Sequence, residues 1–207
     1  MMKIGAAILG ASVLFFAAGC SSSSSDSSNG LSAADAAGFL GIYQMTSYGE
    51  NMAGCDVAGV SSLDARGNGY FLITDETLFG RYLVTIVSCS SVSDCQAKRP
   101  EVTSGDFYTN DYPFTLNSAA SATMLTGVAA DSGSPTGSMC AGRSFSDYNL
   151  LMNADHSVHF ESRTKNLADK PKGGDYCAVL VADAEREAAN QPCATITVLD
   201  GTFVQAM

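Results

Sequence analysis

Six cysteines, Cys55, Cys89, Cys95, Cys140, Cys177 and Cys193, constrain this chain most, because its first residues send it to an oxidising compartment. Met1–Lys3 supplies a short positive start. Ile4–Ala18 is an apolar run of small and aliphatic residues, ending in Ala17-Ala18-Gly19-Cys20. Too short for a comfortable membrane span, the run has the layout of a secretory signal peptide over 1–19. An even set of cysteines in an exported domain reads as a disulfide framework. No Cys-x-x-Cys occurs, so neither a thioredoxin-like redox motif nor a zinc knuckle is indicated.

The seventh cysteine stands apart. Cys20, directly after the small residues, resembles the lipidated cysteine of a bacterial lipoprotein signal, which implies cleavage before it and acyl chains upon it. Ser21–Ser28 follows, seven serines and one Asp with no apolar side chain to pack. Such a tract does not repay the entropy of ordering, so 20–30 reads as a lipidated Cys with a flexible tether. The tether leads to one disulfide-stapled domain over 31–207, long enough to bury a core. By resemblance to the lipoprotein sorting rule of enteric bacteria, Ser21 implies the outer membrane of the cell envelope.

Charge narrows the partners. The precursor carries 11 basic and 21 acidic residues, and loss of Lys3 makes the mature chain more acidic still. Scattered Lys and Arg form no phosphate-binding stripe, which disfavours nucleic acid and also docking on anionic lipid. The acyl chains are left as the expected membrane attachment; a protein partner is not specified.

Along the domain, β signals dominate. Leu31–Gly38 is Ala-rich and fits a short helical turn docking the chain entry. Leu40–Tyr48, Tyr70–Thr74 and Arg81–Ser88 read as strands, the last nearly continuous in apolar residues. Asn68-Gly69 marks a tight turn. Ser91–Lys98 fits one or two helical turns stopped by Pro100. Asp106–Leu116 and Ala120–Gly127 carry weaker alternation, and Asp131–Ser138 has loop composition. Tyr148, Leu150 and Met152, then Val158 and Phe160, keep period two on either side of Asn153–His156, a hairpin. Lys165–Gly174 reads as a loop. Apolar residues at 177, 180, 181, 184 and 188 give Tyr176–Ala189 helical spacing, capped by Asp175 and ended by Asn190 and Pro192, although Ala178–Val181 alone fits a strand. Thr195–Val204 closes the chain as a strand interrupted at Asp200-Gly201.

The expected class is mainly β. Gly41-Ile42-Tyr43 on the first strand resembles the Gly-x-Trp of lipocalins, and Thr109-Asn110-Asp111-Tyr112 resembles their Thr-Asp-Tyr turn. The layout is also similar: a series of antiparallel strands, one helix, then a final strand. The resemblance implies an antiparallel up-and-down barrel of about eight strands with a C-terminal helix before the last strand; the alternative is a β-sandwich with open edges. Cys89 and Cys95 lie close in sequence and pair locally. The barrel further implies Cys55–Cys193, since the start of the last strand falls beside the exit of the first, and Cys140–Cys177 at the open end of the hairpin.

Chemistry is sparse. No G-x-S-x-G elbow, P-loop, G-x-G-x-x-G, H-E-x-x-H or EF-hand loop is present, and no enzyme activity or cofactor is expected. Asp155, His156, His159 and Glu161 form the one ligand-rich cluster. Strand parity separates the histidines, however, and favours a solvated hairpin over a metal site. Arg81 and Arg143 read as rim or surface cations. Tyr43, Phe71, Tyr82, Phe114, Tyr148 and Phe160 either line an apolar cavity or pack as core. The expected function is a non-enzymatic, membrane-anchored module for a small apolar ligand or lipid; the alternative is an interaction lipoprotein with a filled core, acting through its loops.

Overall fold

In the computed structural model, residues 30–62, 69–78, 80–103, 114–173 and 177–206 are described. The expected signal peptide, Cys20, most of the tether, Asn68 of the expected Asn68-Gly69 turn, the Thr109–Tyr112 motif and the Asp175 cap lie outside them. In chain order come α1 (Ala33–Ala36), β1 (Gly41–Asn51), β2 (Ser61–Ser62), β3 (Tyr70–Leu78), β4 (Arg81–Cys89) and α2 (Val92–Thr103). The middle of the chain holds β5 (Phe114–Leu116), β6 (Ser118–Ser121), β7 (Met124–Asp131), β8 (Ser134–Thr136) and β9 (Met139–Ala141). The remainder is β10 (Ser144–Met152), β11 (Val158–Asn166), β12 (Lys170–Pro171), α3 (Val181–Ala188) and β13 (Thr195–Gln205).

One antiparallel sheet runs β5-β4-β3-β1-β13-β11-β10-β7-β6, with β2 beside β1. A separate small sheet runs β12-β9-β8; leaving it and β2 aside, successive strands pair with each other except β5 with β6, and the last pairs with the first over Ile42↔Gln205 to Asn51↔Ile196. This is an up-and-down barrel, not a sandwich. Its ends nearly meet because β5 and β6 are two halves of one bent segment. Phe114–Leu116 pairs with β4, Ser118–Ser121 pairs with β7, and between them the Asn117 N–H donates to the Thr126 carbonyl at 2.9 Å. Gly127 permits the crossing: a Cβ there would run into the Thr115 carbonyl and the Leu116 backbone, a close approach only glycine allows.

Alternation along the strands sorts the side chains. Tyr43, Phe71, Ile73, Val84, Leu125, Leu150, Phe160 and Leu199 meet inside the barrel in one core cluster. Outside, α2 covers β3 and β4 through Leu72, Cys89 and Cys95. On another wall α3 lays Ala184 and Ala188 over Phe145 and Leu167. At one end Leu31, Ala36 and Phe39 join the interior cluster as a plug. Their turn is held by a capping box in which the Ser32 hydroxyl and the Asp35 carboxylate satisfy each other's backbone.

The two barrel ends differ. Connections at 79–80, 122–123 and 153–157 are short and lie at the plugged end, where the chain enters. The longer connections, 52–69, 90–113, 132–143 and 167–194, leave and return at strand ends on the opposite side of the barrel. Cys55–Cys193, Cys89–Cys95 and Cys140–Cys177 all sit at the long-loop end, with Cα separations of 5.6, 5.2 and 5.6 Å. These are the pairs the barrel layout implied.

Several local expectations are corrected. The helix after β4 does not stop at Pro100 but runs through it to Thr103; one missing backbone donor weakens a helix without ending it, and Cys95 pins this one to the sheet. Ala120–Gly127 is not one strand. The Ser121 hydroxyl accepts from the Thr123 N–H and turns the chain at 122–123 into a hairpin. Asp131–Ser138 is not all loop, since Gly137, at φ +60°, lets β8 fold onto β9. The C-terminal helix begins only at Val181, with Leu180 at its N-cap and no side-chain cap there; Cys177, tied to Cys140, stays outside it. Finally, β13 is continuous through Asp200-Gly201; the register shift opposite it belongs to β1, between Met45 and Ser47.

Candidate functional site

Of the aromatic residues expected either to line a cavity or to pack as core, Tyr43, Phe71, Phe114, Tyr148 and Phe160 pack against other rings of the set. Tyr43 stacks on Phe71 with ring centroids 5.3 Å apart, and Phe160 lies 4.7 Å from Phe114 and 6.1 Å from Tyr148. Tyr43, Phe71 and Phe160 are essentially inaccessible to solvent. The Tyr43 hydroxyl donates to the Phe39 carbonyl at 2.9 Å, tying the ring to the plug. Burial pushes the Tyr43 hydroxyl up to about 12. Burial also raises Tyr82 to about 12, helped by its 2.9 Å hydrogen bond to Asp75. Neutral, satisfied hydroxyls and touching rings are the properties of a packed core. Tyr82 also lines a partly open groove of about 520 Å³ at the plugged end, with Leu31, Gly80, Arg81 and Asn117.

Arg81 is exposed at that rim, whereas Arg143 is not a surface cation. It is buried outside the barrel, donating to the Ala168 carbonyl at 2.6 Å and to Glu187 of α3 at 3.2 Å. Its neighbours Lys170 and the Ala168 N–H also bind Glu187. The cluster therefore fastens α3 and the 167–170 segment to β10. Hydrogen bonds from Lys170 and Arg143 hold the Glu187 carboxyl below its ordinary range.

The polar network that sequence reasoning underestimated lies on the outer wall, where β1, β13 and β11 run side by side. His159 Nδ1 is 2.6 Å from Asp200 and its Nε2 is 3.2 Å from Glu161. Ser47 donates to the second oxygen of Asp200, and Arg163 pairs with Glu161. Asp200 is 41 residues from His159, so only the β11–β13 register, His159↔Asp200, reveals the contact. His156, by contrast, sits in the turn at φ +62° beside Phe203 and takes no part.

The order Ser47–Asp200–His159–Glu161 is not that of a nucleophile. A serine is activated when its proton goes to a neutral imidazole oriented by a carboxylate. Here the hydroxyl donates to the carboxylate, and both imidazole nitrogens face carboxylates. Among the described residues no group of three His, Cys, Asp or Glu side chains is arranged to hold a metal ion. What the network does is join three strands across the seam where the first and last meet.

Partial burial opposes charge on the His159 ring, but the hydrogen bonds and charges of Asp200 and Glu161 outweigh it and raise the pKa above 6.5. A raised folded-state pKa means protonation favours the fold. The contribution is complete below the ordinary histidine range and disappears as pH rises through the raised value. Thermal denaturation should therefore show the gap between the native chain and His159→Gln closing as pH is raised from about 5.5 to about 9. A gap constant with pH would mean that the ring acts by packing alone.

Compared with known proteins, the chain matches no family model, no curated protein and no solved structure.

Proposed function

We propose that this chain is a lipid-anchored domain of the bacterial cell envelope that acts by contact rather than catalysis. The filled barrel is the scaffold, and the disulfide-stapled loops at one end are the working surface. The observation that carries this reading is ring-to-ring packing of Tyr43, Phe71, Phe114, Tyr148 and Phe160. An apolar ligand held inside would need the volume those rings occupy.

The segregation of connections supports the same reading. The tether expected from Cys20 joins the domain at the plugged, short-turn end, so membrane attachment there directs the long loops outward. All three cysteine pairs brace that outward end, which reduces the entropy a long loop loses on engaging a partner. Met52 and Val57 are exposed apolar side chains within one of these loops.

Two measurements test the proposal. Titration of the purified full chain with a fluorescent apolar probe should give no saturable binding, and native mass spectra should show no retained lipid beyond covalent acyl chains. One ligand per chain, lost on changing an interior ring, would replace this reading with the ligand-carrier one. A photo-crosslinking residue at Val57 in cells should give protein adducts that one at Ala122 does not; equal labelling would remove the role assigned to the loops.

A further inference from the structure

We propose that the plugged end of the barrel rests on the bilayer, with Phe203 and Val204 entering its interfacial layer. The proposal deepens the anchored-domain reading and rests on its lipidated Cys20. Phe203 and Val204 sit near the C-terminal end of β13, large apolar side chains that are 42% and 41% exposed at this rim. Phe203 is also held in place: its ring lies edge-on to Tyr43 at 5.5 Å, so it projects from the core at little further cost in side-chain entropy.

Three observations point to a membrane as the occupant. First, the chain enters at this end. The Leu31 N–H donates to the Asn117 carbonyl, and β13 ends beside the start of β1 at Ile42↔Gln205. Residues 20–29 span at most about 35 Å when extended and about 18 Å as a coil, so this end stays within reach of the headgroups.

Second, the charges described at this end are locally satisfied, although the chain as a whole is acidic. Asp35, Asp75 and Asp155 each accept from a hydroxyl, of Ser32, Tyr82 and Ser157, Glu76 is buried on the Thr85 hydroxyl, and Arg81 adds a cation at the rim. The acidic residues Asp183, Glu185 and Glu187 of α3 and Asp94 of α2 belong to the long-loop connections. An end facing lipid headgroups avoids the repulsion and desolvation that such carboxylates would incur.

Third, an aromatic and a branched aliphatic side chain presented together suit the boundary between headgroups and acyl chains, where apolar burial adds to a single lipid anchor.

The chain contains no Trp, so one introduced Trp is a unique reporter. Lipidated full-length Phe203→Trp and Val204→Trp variants, reconstituted in neutral phosphatidylcholine vesicles with brominated acyl chains, should lose roughly half their emission relative to unbrominated vesicles. Val57→Trp at the far end should lose little. Two positions are used so that a folding defect in one does not decide the outcome. Flotation with the same vesicles separates the layers of the argument. A native chain that floats while Cys20→Ser does not, together with unquenched reporters at 203 and 204, would overturn the orientation and leave the anchor standing. Failure of the native chain to float would remove both. Shielded but unquenched reporters with doubled mass in detergent would assign this end to a second copy of the chain, and that also overturns the proposal.

Discussion

Replacing both Cys55 and Cys193 by Ser should destabilise the domain by up to about 5 kcal/mol, because the bridge restricts a very long loop in the unfolded chain. Its cysteines are 138 residues apart in sequence, whereas Cys89 and Cys95 are separated by 6. On the chain-entropy account the short bridge contributes only about 2 kcal/mol, so the two double-serine variants are predicted to differ. Position reinforces the difference. Cys55 follows β1 and Cys193 precedes β13, so this bridge clamps the long-loop end of the seam between first and last strands. Equilibrium urea unfolding without reductant reads the comparison directly. Equal losses for the two variants would show that native-state contacts, not loop closure, set the value of these bridges.

Phe160→Ala should cost about 3–5 kcal/mol, through lost apolar burial and the cavity left among Phe114, Tyr148 and the plug. In a domain of this size that corresponds to a fall in Tm of roughly 6–20 °C. Phe160 is fully buried, and its ring touches partners from β5 and β10, so the surroundings are held by strands on both sides and collapse poorly. Thermal unfolding of Phe160→Ala beside Phe160→Leu measures the effect, the leucine variant losing less. A loss under about 1 kcal/mol would mean that the ring borders a void, and would revive the interior as a ligand site.

The hairpin was legible in the sequence because period two and a turn-forming Asn153–His156 stretch are local signals, and the observed register aligns Leu150 with Phe160 and Met152 with Val158. The docking turn after Leu31 was legible from its Ala-rich run, whereas the Ser32–Asp35 capping box that starts it is a finding of the structure. The hairpin at 122–123 was not, because Ala122-Thr123 has no turn signature and depends on a hydroxyl contact from Ser121. Nor did Pro100 stop its helix, since a disulfide and a sheet face outweighed a local penalty. His159 was read as part of a solvated hairpin: its partner Glu161 is two residues away, but Asp200 arrives only when β13 pairs with β11. Arg143 was misread because its burial follows from Glu187 on a helix far along the chain.

By itself the sequence determined a mainly β domain with a local Cys89–Cys95 pair, and an outer class of barrel or sandwich, since alternation and cysteine spacing are short-range properties of the chain. Only the tertiary structure decided closure, through the bend at Asn117 and the glycine that admits it. It also decided that the aromatic residues meet each other and that the long loops and all three cysteine pairs gather at one end. The physical reason is one of range. Period and turn chemistry are set by neighbours a few residues apart, whereas a barrel's interior and its two ends exist only once β1 meets β13, and that pairing is a non-local competition between burial and loop entropy.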